Sequence, residues 1–557
     1  MRSRGLAEAL SVAVAAAALT AVLTHPLVAQ IDRIGRVNTN DGRWSLWVVS
    51  WVAHALTTDP RQLFHANIFH PHQNTLAYSE PNIVAGAVGA PVWYLSRNPY
   101  LTHNVVVVLG FILAAAGAYY LARYLTRDRG AAAVAGVMFA FCPFIFARTA
   151  HIQLLLTAGL PWCLLAMHRL VDAPGPRRAV IVGVAVWLQA LACAYYGIFA
   201  GLMVALGAVV YGVTRRTWRQ PAYWLRFALA GAVAIGLTIP FFLPYLDVQQ
   251  ELGFTRQLEE SRAYSADLGA WFASSAWAHR WWLPRLGGFN EVLFPGILAM
   301  LLGTYGAWRA LGRAPAANAP VRSTLARDSA LFYVLVIGIT VWASFGPAAG
   351  LYTLLYNTIP VFSFLRAPAR MGILVPLALS VLAAGVLAAH FRRLTRPALA
   401  AAIVTLVVAA ELMPAPLRQL RAAEPVSSPE RLLATLPPGP VVVLPYYHDR
   451  INFHRHGYYM LQSTAHFFPL VNGYSDHIPQ DFRDNARALS AFPTRESFAI
   501  LEAIGARYAL IHAHHFDEVS RERIAERLEA FGAHLRLILQ KDGVWLYEIT
   551  SFPAAEG

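Results

Sequence analysis

Long apolar runs, most of them flanked by arginines or polar turns, leave this chain few ways to fold. Eleven stretches approach the roughly 17–25 apolar residues that a bilayer-crossing helix needs. They lie near 8–30, 102–122, 130–147, 152–170, 178–194, 196–213, 226–246, 291–310, 329–346, 371–390 and 398–413. The fifth and sixth come from one run, Ala179 to Val213, too long for a single helix and divided here at C-A-Y-Y-G, Cys193 to Gly197. Charged residues are 14% of the 557, where soluble proteins carry about 25%, and mean hydropathy is +0.44. The fold class this implies is an α-helical polytopic membrane protein with about eleven transmembrane helices. The opening M-R-S-R-G-L resembles the charged start of a signal peptide. Its apolar run continues to about Ala29 without a clear cleavage site, so it reads as a retained first span.

The net charge is +14, almost all of it arginine; Lys541 is the only lysine. A basic balance can mean nucleic acid, but the positions of these arginines argue for no nucleic acid. With the N-terminus cytoplasmic, the inner segments hold Arg2, Arg4, Arg123, Arg127, Arg129, Arg169, Arg177, Arg178, Arg215, Arg216, Arg219, Arg226, Arg309, Arg313, Arg322, Arg327, Arg392, Arg393 and Arg396. Positive residues stay inside during insertion. The bias therefore predicts a multi-pass protein of a bacterial inner membrane, with its C-terminus outside. Cys142, Cys163 and Cys193 all fall in apolar runs, which excludes a disulfide framework or thiolate metal site in the polar regions.

Three outer segments follow from this topology: a long first loop at 31–100, a second from Asp247 to Asn290, and a third from Gly346 to Arg370. Two domains are expected. One is a transmembrane module at 1–413 that includes the first outer loop 31–100. The other is an extracytoplasmic C-terminal α/β domain at 414–557. In that tail P-V-V-V-L-P from Pro440 and Y-A-L-I-H from Tyr508 read as strands, F-D-E-V-S-R-E-R-I-A-E-R-L-E-A-F-G as an amphipathic helix, and L-R-L-I-L-Q, K-D-G, V-W-L-Y-E-I as a hairpin.

The first loop carries the strongest candidates for chemistry. Asp41 sits in N-T-N-D-G, followed by Trp44, Trp47, Val48 and Trp51 at helical spacing. Such a stripe is expected to lie flat at the headgroup level and to hold the aspartate there as a general base. The competing role for Asp41 is a helix N-cap. Glu80, in Y-S-E-P-N, is placed to assist or to orient an acceptor, against a plain role at a helix start. His65, His70 and His72 suit contacts to a sugar ring. With Asp41 and Glu80 they are also the weaker candidates for a divalent cation, though their spacing matches no zinc signature. Arg366 and Arg370, four apart in F-L-R-A-P-A-R, and Arg148 beside His151 suit a lipid phosphate; the competing role is snorkelling to headgroups. Tyr474, in N-G-Y-S-D-H, and the tail tyrosines Tyr446, Tyr447, Tyr458 and Tyr459 offer aromatic faces for an acceptor. No nucleotide-binding motif is present, so any energy must arrive with the substrate.

This combination of a long first outer loop with an early acid, an interfacial helix, many spans and an outer C-terminal domain resembles the GT-C membrane glycosyltransferases. The phrases F-L-R-A-P-A-R-M, P-V-V-V-L-P and P-L-V-N-G-Y-S-D-H-I-P also resemble YfhO-like bacterial membrane proteins. The GT-C resemblance implies transfer of a sugar from a polyprenyl-phosphate donor to a glycan, lipid or protein acceptor at the outer face. In that reading Asp41 is the base, Glu80 the second acid, and Arg366, Arg370 and Arg148 hold the donor phosphate, while His65, His70, His72, His151 and Tyr474 contact sugar or acceptor. No cofactor is required. The alternatives are a flippase for a lipid-linked saccharide, against which the scarcity of mid-span charges counts, and a non-catalytic cell-envelope assembly factor.

Overall fold

The structure, a computed structural model, describes residues 2–253, 257–312 and 325–554. Of the inner arginines, Arg313 and Arg322 lie outside the described residues, as do the side chains of Arg2, Arg4 and Glu251. Contacts gather the chain into two compact units. One comprises Met1–Gln30, Val106–Phe242 and Phe254–Arg418; the other comprises Ile31–Val105, Leu243–Gly253 and Gln419–Gly557.

Helices fill the first unit, and every expected apolar run contains one. Among the described residues of the whole chain, seven segments are long and apolar enough to cross a membrane: Gly5–Leu23, Pro99–Thr126, Arg129–Ala147, Ala194–Thr214, Pro221–Gln250, Arg327–Ser344 and Pro368–Phe391. The chain is a multi-pass membrane protein. Ile297–Leu311 and Pro397–Glu411 are shorter. The run expected at 152–170 is broken into Ile152–Leu155 and Gly159–Asp172. The division at Cys193 is observed: one helix ends at Ala192, the next begins at Ala194, and Cys193 between them is extended.

Leu374–Phe391 is the axis of this unit, and all its residues but His390 are buried. Helix Ile297–Leu311 packs directly on it through Gly303 and Gly306. A Cβ at Gly306 would stand 2.1 Å from the Leu382 carbonyl oxygen, so only glycine permits this approach. In lipid, where no hydrophobic effect draws helices together, such small-residue contacts supply the packing. Glu411 caps the start of Ile297–Leu311, accepting from the Ile297 and Leu298 N–H groups, and His279 bonds its Oε1 at 3.1 Å.

The second unit is mixed α/β. Its four-stranded sheet runs β3-β4-β6-β5, with β3 (Val441–Leu444) parallel to β4 (Tyr508–His512), and β5 (Leu535–Lys541) and β6 (Val544–Ile549) forming the expected hairpin. Asp542 and Gly543 both have positive φ at the hairpin turn, as a two-residue turn matched to strand twist requires. Val441, Val443, Leu470, Tyr508, Leu510 and Leu546 form its core.

The first loop packs with the tail in this unit. A short pair joins β1 (Ile34–Gly35) to β2 (Arg421–Ala422). Asn67, wholly inside, donates to Ser463 Oγ at 3.0 Å and to the Phe468 carbonyl at 3.2 Å, and accepts from Trp47 Nε1 at 3.1 Å. The Asn472 side chain bonds both backbone groups of Val443, at 2.7 and 2.9 Å, while its backbone carbonyl accepts from the Phe69 N–H. A buried amide must satisfy both its donors and its acceptor; Asn67 does so by joining the loop to Ser463, 396 positions away, and Asn472 by bonding Val443, 29 positions away within the tail.

Two expectations are corrected here. The tryptophan stripe does not form an interfacial face. Helix Asn40–Thr58 buries Trp44, Trp47, Val48 and Trp51 against helix Ile83–Ser96, a second helix inside the expected loop, and against the tail helix His456–Gln462. Gly86 makes the first packing possible, since a Cβ there would overlap Val52 at 2.2 Å. Tyr446 and Tyr459, offered as acceptor faces, are core residues whose hydroxyls bond the Val471 and Pro445 carbonyls.

Candidate active site

Asp41 lies in the first turn of helix Asn40–Thr58, where a carboxylate is favoured by the helix dipole. The cap itself is Thr39, whose hydroxyl accepts from the Gly42 N–H at 3.2 Å. Gly42 is required by proximity, because a Cβ would meet the Arg36 carbonyl oxygen at 2.0 Å. The backbone thus brings Arg36 against the turn that carries Asp41. One residue further, Arg43 grips Glu424 through Nε and NH2, at 3.1 and 2.6 Å, and donates to Asn40 Oδ1 at 3.1 Å. Glu424 is positioned in turn by its own N–H, which donates to Tyr100 OH at 2.8 Å. Gly457 lies over Asn40; a Cβ there would be 3.6 Å from Asn40 O and 4.0 Å from the Tyr474 ring. Tyr474 therefore flanks the turn that carries Asp41.

Glu80 lies in a second polar patch of the same unit. Ser79 Oγ donates to Asp476 at 3.0 Å, the Ser79 carbonyl accepts from Tyr245 OH at 2.7 Å, and Asn82 Nδ2 donates to the Glu80 carbonyl at 2.8 Å. Both Glu80 and Asp476 act electrostatically on the Tyr245 hydroxyl. Two carboxylates thus flank Ser79.

The loop histidines each have a separate partner. His65 Nδ1 accepts from the Asn74 N–H at 3.1 Å, His70 Nε2 bonds the Ile504 carbonyl at 3.0 Å, and His72 Nε2 bonds both Asp481 oxygens at 2.9 Å. Burial holds the His70 imidazole below its ordinary pKa, opposed by the bond to Ile504 and reinforced by nearby His72. Among the described residues they form no metal-ligand cluster with Asp41 or Glu80. Their hydrogen bonds fasten the loop to itself and to the tail.

Arg148, His151, Arg366 and Arg370 belong to the helical unit. The helix break at Cys193 presents Tyr195, whose hydroxyl accepts from the Arg366 N–H at 2.9 Å and whose ring carries the Arg370 guanidinium at 4.4 Å. The Arg366 guanidinium stacks on Tyr264 at 5.1 Å. The two arginines do not share an α-helical face as their spacing suggested. Ala367, before Pro368, leaves the helical region, and Pro368–Ile373 is a 3-10 turn, as the steric restriction on residues preceding proline favours. Convergence comes from Tyr195 instead. Arg370 and Arg148 both act electrostatically on Tyr196, and Arg148 is ion-paired with Glu291. His151 stands at the start of Ile152–Leu155. A separate cleft of about 710 Å³, lined by Glu8, Ser11, Tyr119, Arg129 and Thr405 among others, includes none of these candidates.

Compared with solved structures, the chain is similar to the apo oligosaccharyltransferase of Archaeoglobus fulgidus, with a TM-score of 0.50 over 91% of this chain and 70% of that one, at 13% identity. The likeness is one of fold. ArnT from Cupriavidus metallidurans also matches, bound to undecaprenyl phosphate (TM-score 0.48, 14% identity) and in the apo state (0.48, 13%), each covering 100% of both chains. No family model matches the sequence, and no curated relative does.

Four residues around the candidates were not singled out from the sequence: Tyr195, Glu291, Glu424 and Asp476. A paired aromatic directly after a helix break was the available sign for Tyr195. Asp476 lies within N-G-Y-S-D-H, where only the tyrosine drew notice. Glu424 and Glu291 carry no local signal, because their partners Arg43 and Arg148 are 381 and 143 positions away.

Proposed function

We propose that this protein is a membrane glycosyltransferase that moves a sugar from a polyprenyl-phosphate donor to a glycan, lipid or protein acceptor at the outer face of a bacterial inner membrane. Asp41 takes the proton of the acceptor hydroxyl as that oxygen attacks the anomeric carbon. The bond from the anomeric carbon to the donor phosphate breaks, and the phosphate keeps the electron pair. Arg366 and Arg370 stabilise the charge gathering on it, and Arg148 contributes after exchanging Glu291 for phosphate. Glu80, beside Asp476, orients the acceptor. Tyr474 and His151 contact sugar or acceptor, with His65, His70 and His72 shaping the loop around them.

The observation that carries this reading is the gathering of Arg366 and Arg370 on Tyr195, in a chain whose fold is similar to that of an oligosaccharyltransferase. Ring stacking engages the flat face of a guanidinium and orients its in-plane N–H groups, which match phosphate oxygens in pairs. Undecaprenyl phosphate titrated into the purified protein in detergent tests it. The double variant Arg366→Ala/Arg370→Ala is expected to bind at least ten times more weakly than wild type. Equal binding removes the arginines from the donor site.

A further inference from the structure

Strand β4 ends at His512, and the 3-10 turn Ala513–His515 follows at once. That turn brings three imidazoles to one place. The ligand-capable atoms of His512, His514 and His515 all lie within 4.8 Å of one another, and the His514 and His515 rings are 4.3 Å apart between centroids. Clustered histidines on a surface are common, but His512 is not on the surface. It is fully buried; its Nδ1 has no hydrogen-bond partner, and its Nε2 faces only buried Glu430 Oε1. Burying a polar atom without a partner, as at Nδ1, costs free energy unless something satisfies it.

The surroundings are arranged as a metal's second shell is. His514 Nδ1 faces the Gly543 carbonyl at 3.2 Å, which fixes the proton on that nitrogen and turns Nε2 into the ligand atom. Buried Glu430 has Oε2 engaged by the Ser427 N–H and hydroxyl, at 3.1 and 3.0 Å, while Oε1 stands 3.4 Å from His512 Nε2. Glu430 can thus orient His512 through Nε2, with Nδ1 as the ligand atom, or supply an oxygen ligand itself. Zinc takes imidazole nitrogens at about 2.0–2.1 Å in a tetrahedral set. Exposed His514 and His515 can close that distance by small rotations about their side-chain bonds, around a His512 that packing already holds.

We infer that His512, His514 and His515, with Glu430 behind them, form a binding site for a borderline transition-metal cation of the Zn²⁺ class in the tail. The site includes none of the proposed sugar-transfer residues and does not depend on that reading; Tyr458, 5.5 Å from His512 and 4.9 Å from His515 between ring centroids, stands between it and Arg43. A bound ion would tie the end of β4 and its turn to the β5–β6 hairpin through His514 and Gly543.

The test uses the full-length protein with any affinity tag removed, stripped with a chelator and titrated with ZnCl₂ against a chromophoric competitor. Wild type is expected to take up one equivalent, and the His514→Ala/His515→Ala variant to lose that equivalent or bind it at least tenfold more weakly. Both positions are exposed, so the variant keeps the fold. A His448→Ala control, at another surface histidine, is expected to bind as wild type does. If wild type holds no more zinc than the double variant, or if His448→Ala loses as much, the site is overturned.

Discussion

Each of the two units is held together internally, and by opposite means. In the helical unit the contacts are apolar and close: Gly303 and Gly306 bring one helix against the backbone of Leu379 and Leu382 on its neighbour. In the mixed unit the decisive contacts are polar and buried. The Asn67 side chain joins the first loop to the tail, and Asn472 fixes Val443 inside the tail while its backbone carbonyl accepts from the Phe69 N–H, hydrogen bonds that water would otherwise make. The first arrangement suits lipid, where small residues and dispersion do the packing. The second suits an aqueous compartment, where each buried amide fixes one register and excludes others. One chain therefore uses two packing rules, and each fails to a different substitution.

Asn472→Leu should have the largest effect. It strands the Val443 N–H and carbonyl inside the core, at about 1–3 kcal/mol for each unsatisfied group, and is expected to lower the mixed unit's stability by about 3 kcal/mol. Limited proteolysis should then cut the first loop and tail early while the helical unit stays intact. If both units loosen together, the division of packing rules is wrong. Gly306→Leu should act on the other side, because its Cβ meets the Leu382 carbonyl oxygen at 2.1 Å. Overpacking of this kind costs about 1–3 kcal/mol. Unfolding in mixed detergent micelles should show the loss, with tail proteolysis unchanged.

A gentler lever is acid. Burial lowers His54, His456 and His466 in the mixed unit from 6.5 to about 4. Below pH 6.5 the unfolded chain takes up protons that the folded unit refuses, so folding weakens as pH falls from about 6.5 towards 4 and is unaffected above that window. Thermal unfolding followed by tail proteolysis across pH 7 to 4.5 should show a falling midpoint. A flat profile would mean that these imidazoles are not buried neutral.

Features with a local cause were legible in the sequence. Apolar length gave away the helices, C-A-Y-Y-G the break at Cys193, V-V-V-L the strand β3, and K-D-G the hairpin turn whose two positive φ angles Asp542 and Gly543 accept. What depended on distant partners was not legible. Tryptophans at helical spacing look the same whether their face meets headgroups or another part of the chain, and only the fold shows that Trp47 meets Asn67. Thr39, one of five turn-formers in a row, took the cap that competed for Asp41. The spacing of Arg366 and Arg370 suggested one helical face, but Pro368 removes the helix that spacing assumed, and it is Tyr195 that both contact.

The central claim is that Asp41 is the base of a sugar transfer, and one substitution tests it most directly. Purified wild type and Asp41→Asn would be compared with radiolabelled polyprenyl-phosphate sugars, alongside undecaprenyl phosphate binding as a check on the fold. A positioned general base contributes about 10²–10⁴-fold. The account predicts that Asp41→Asn loses at least about a hundredfold in kcat while binding undecaprenyl phosphate as wild type does. Transfer at the wild-type rate by Asp41→Asn would contradict it.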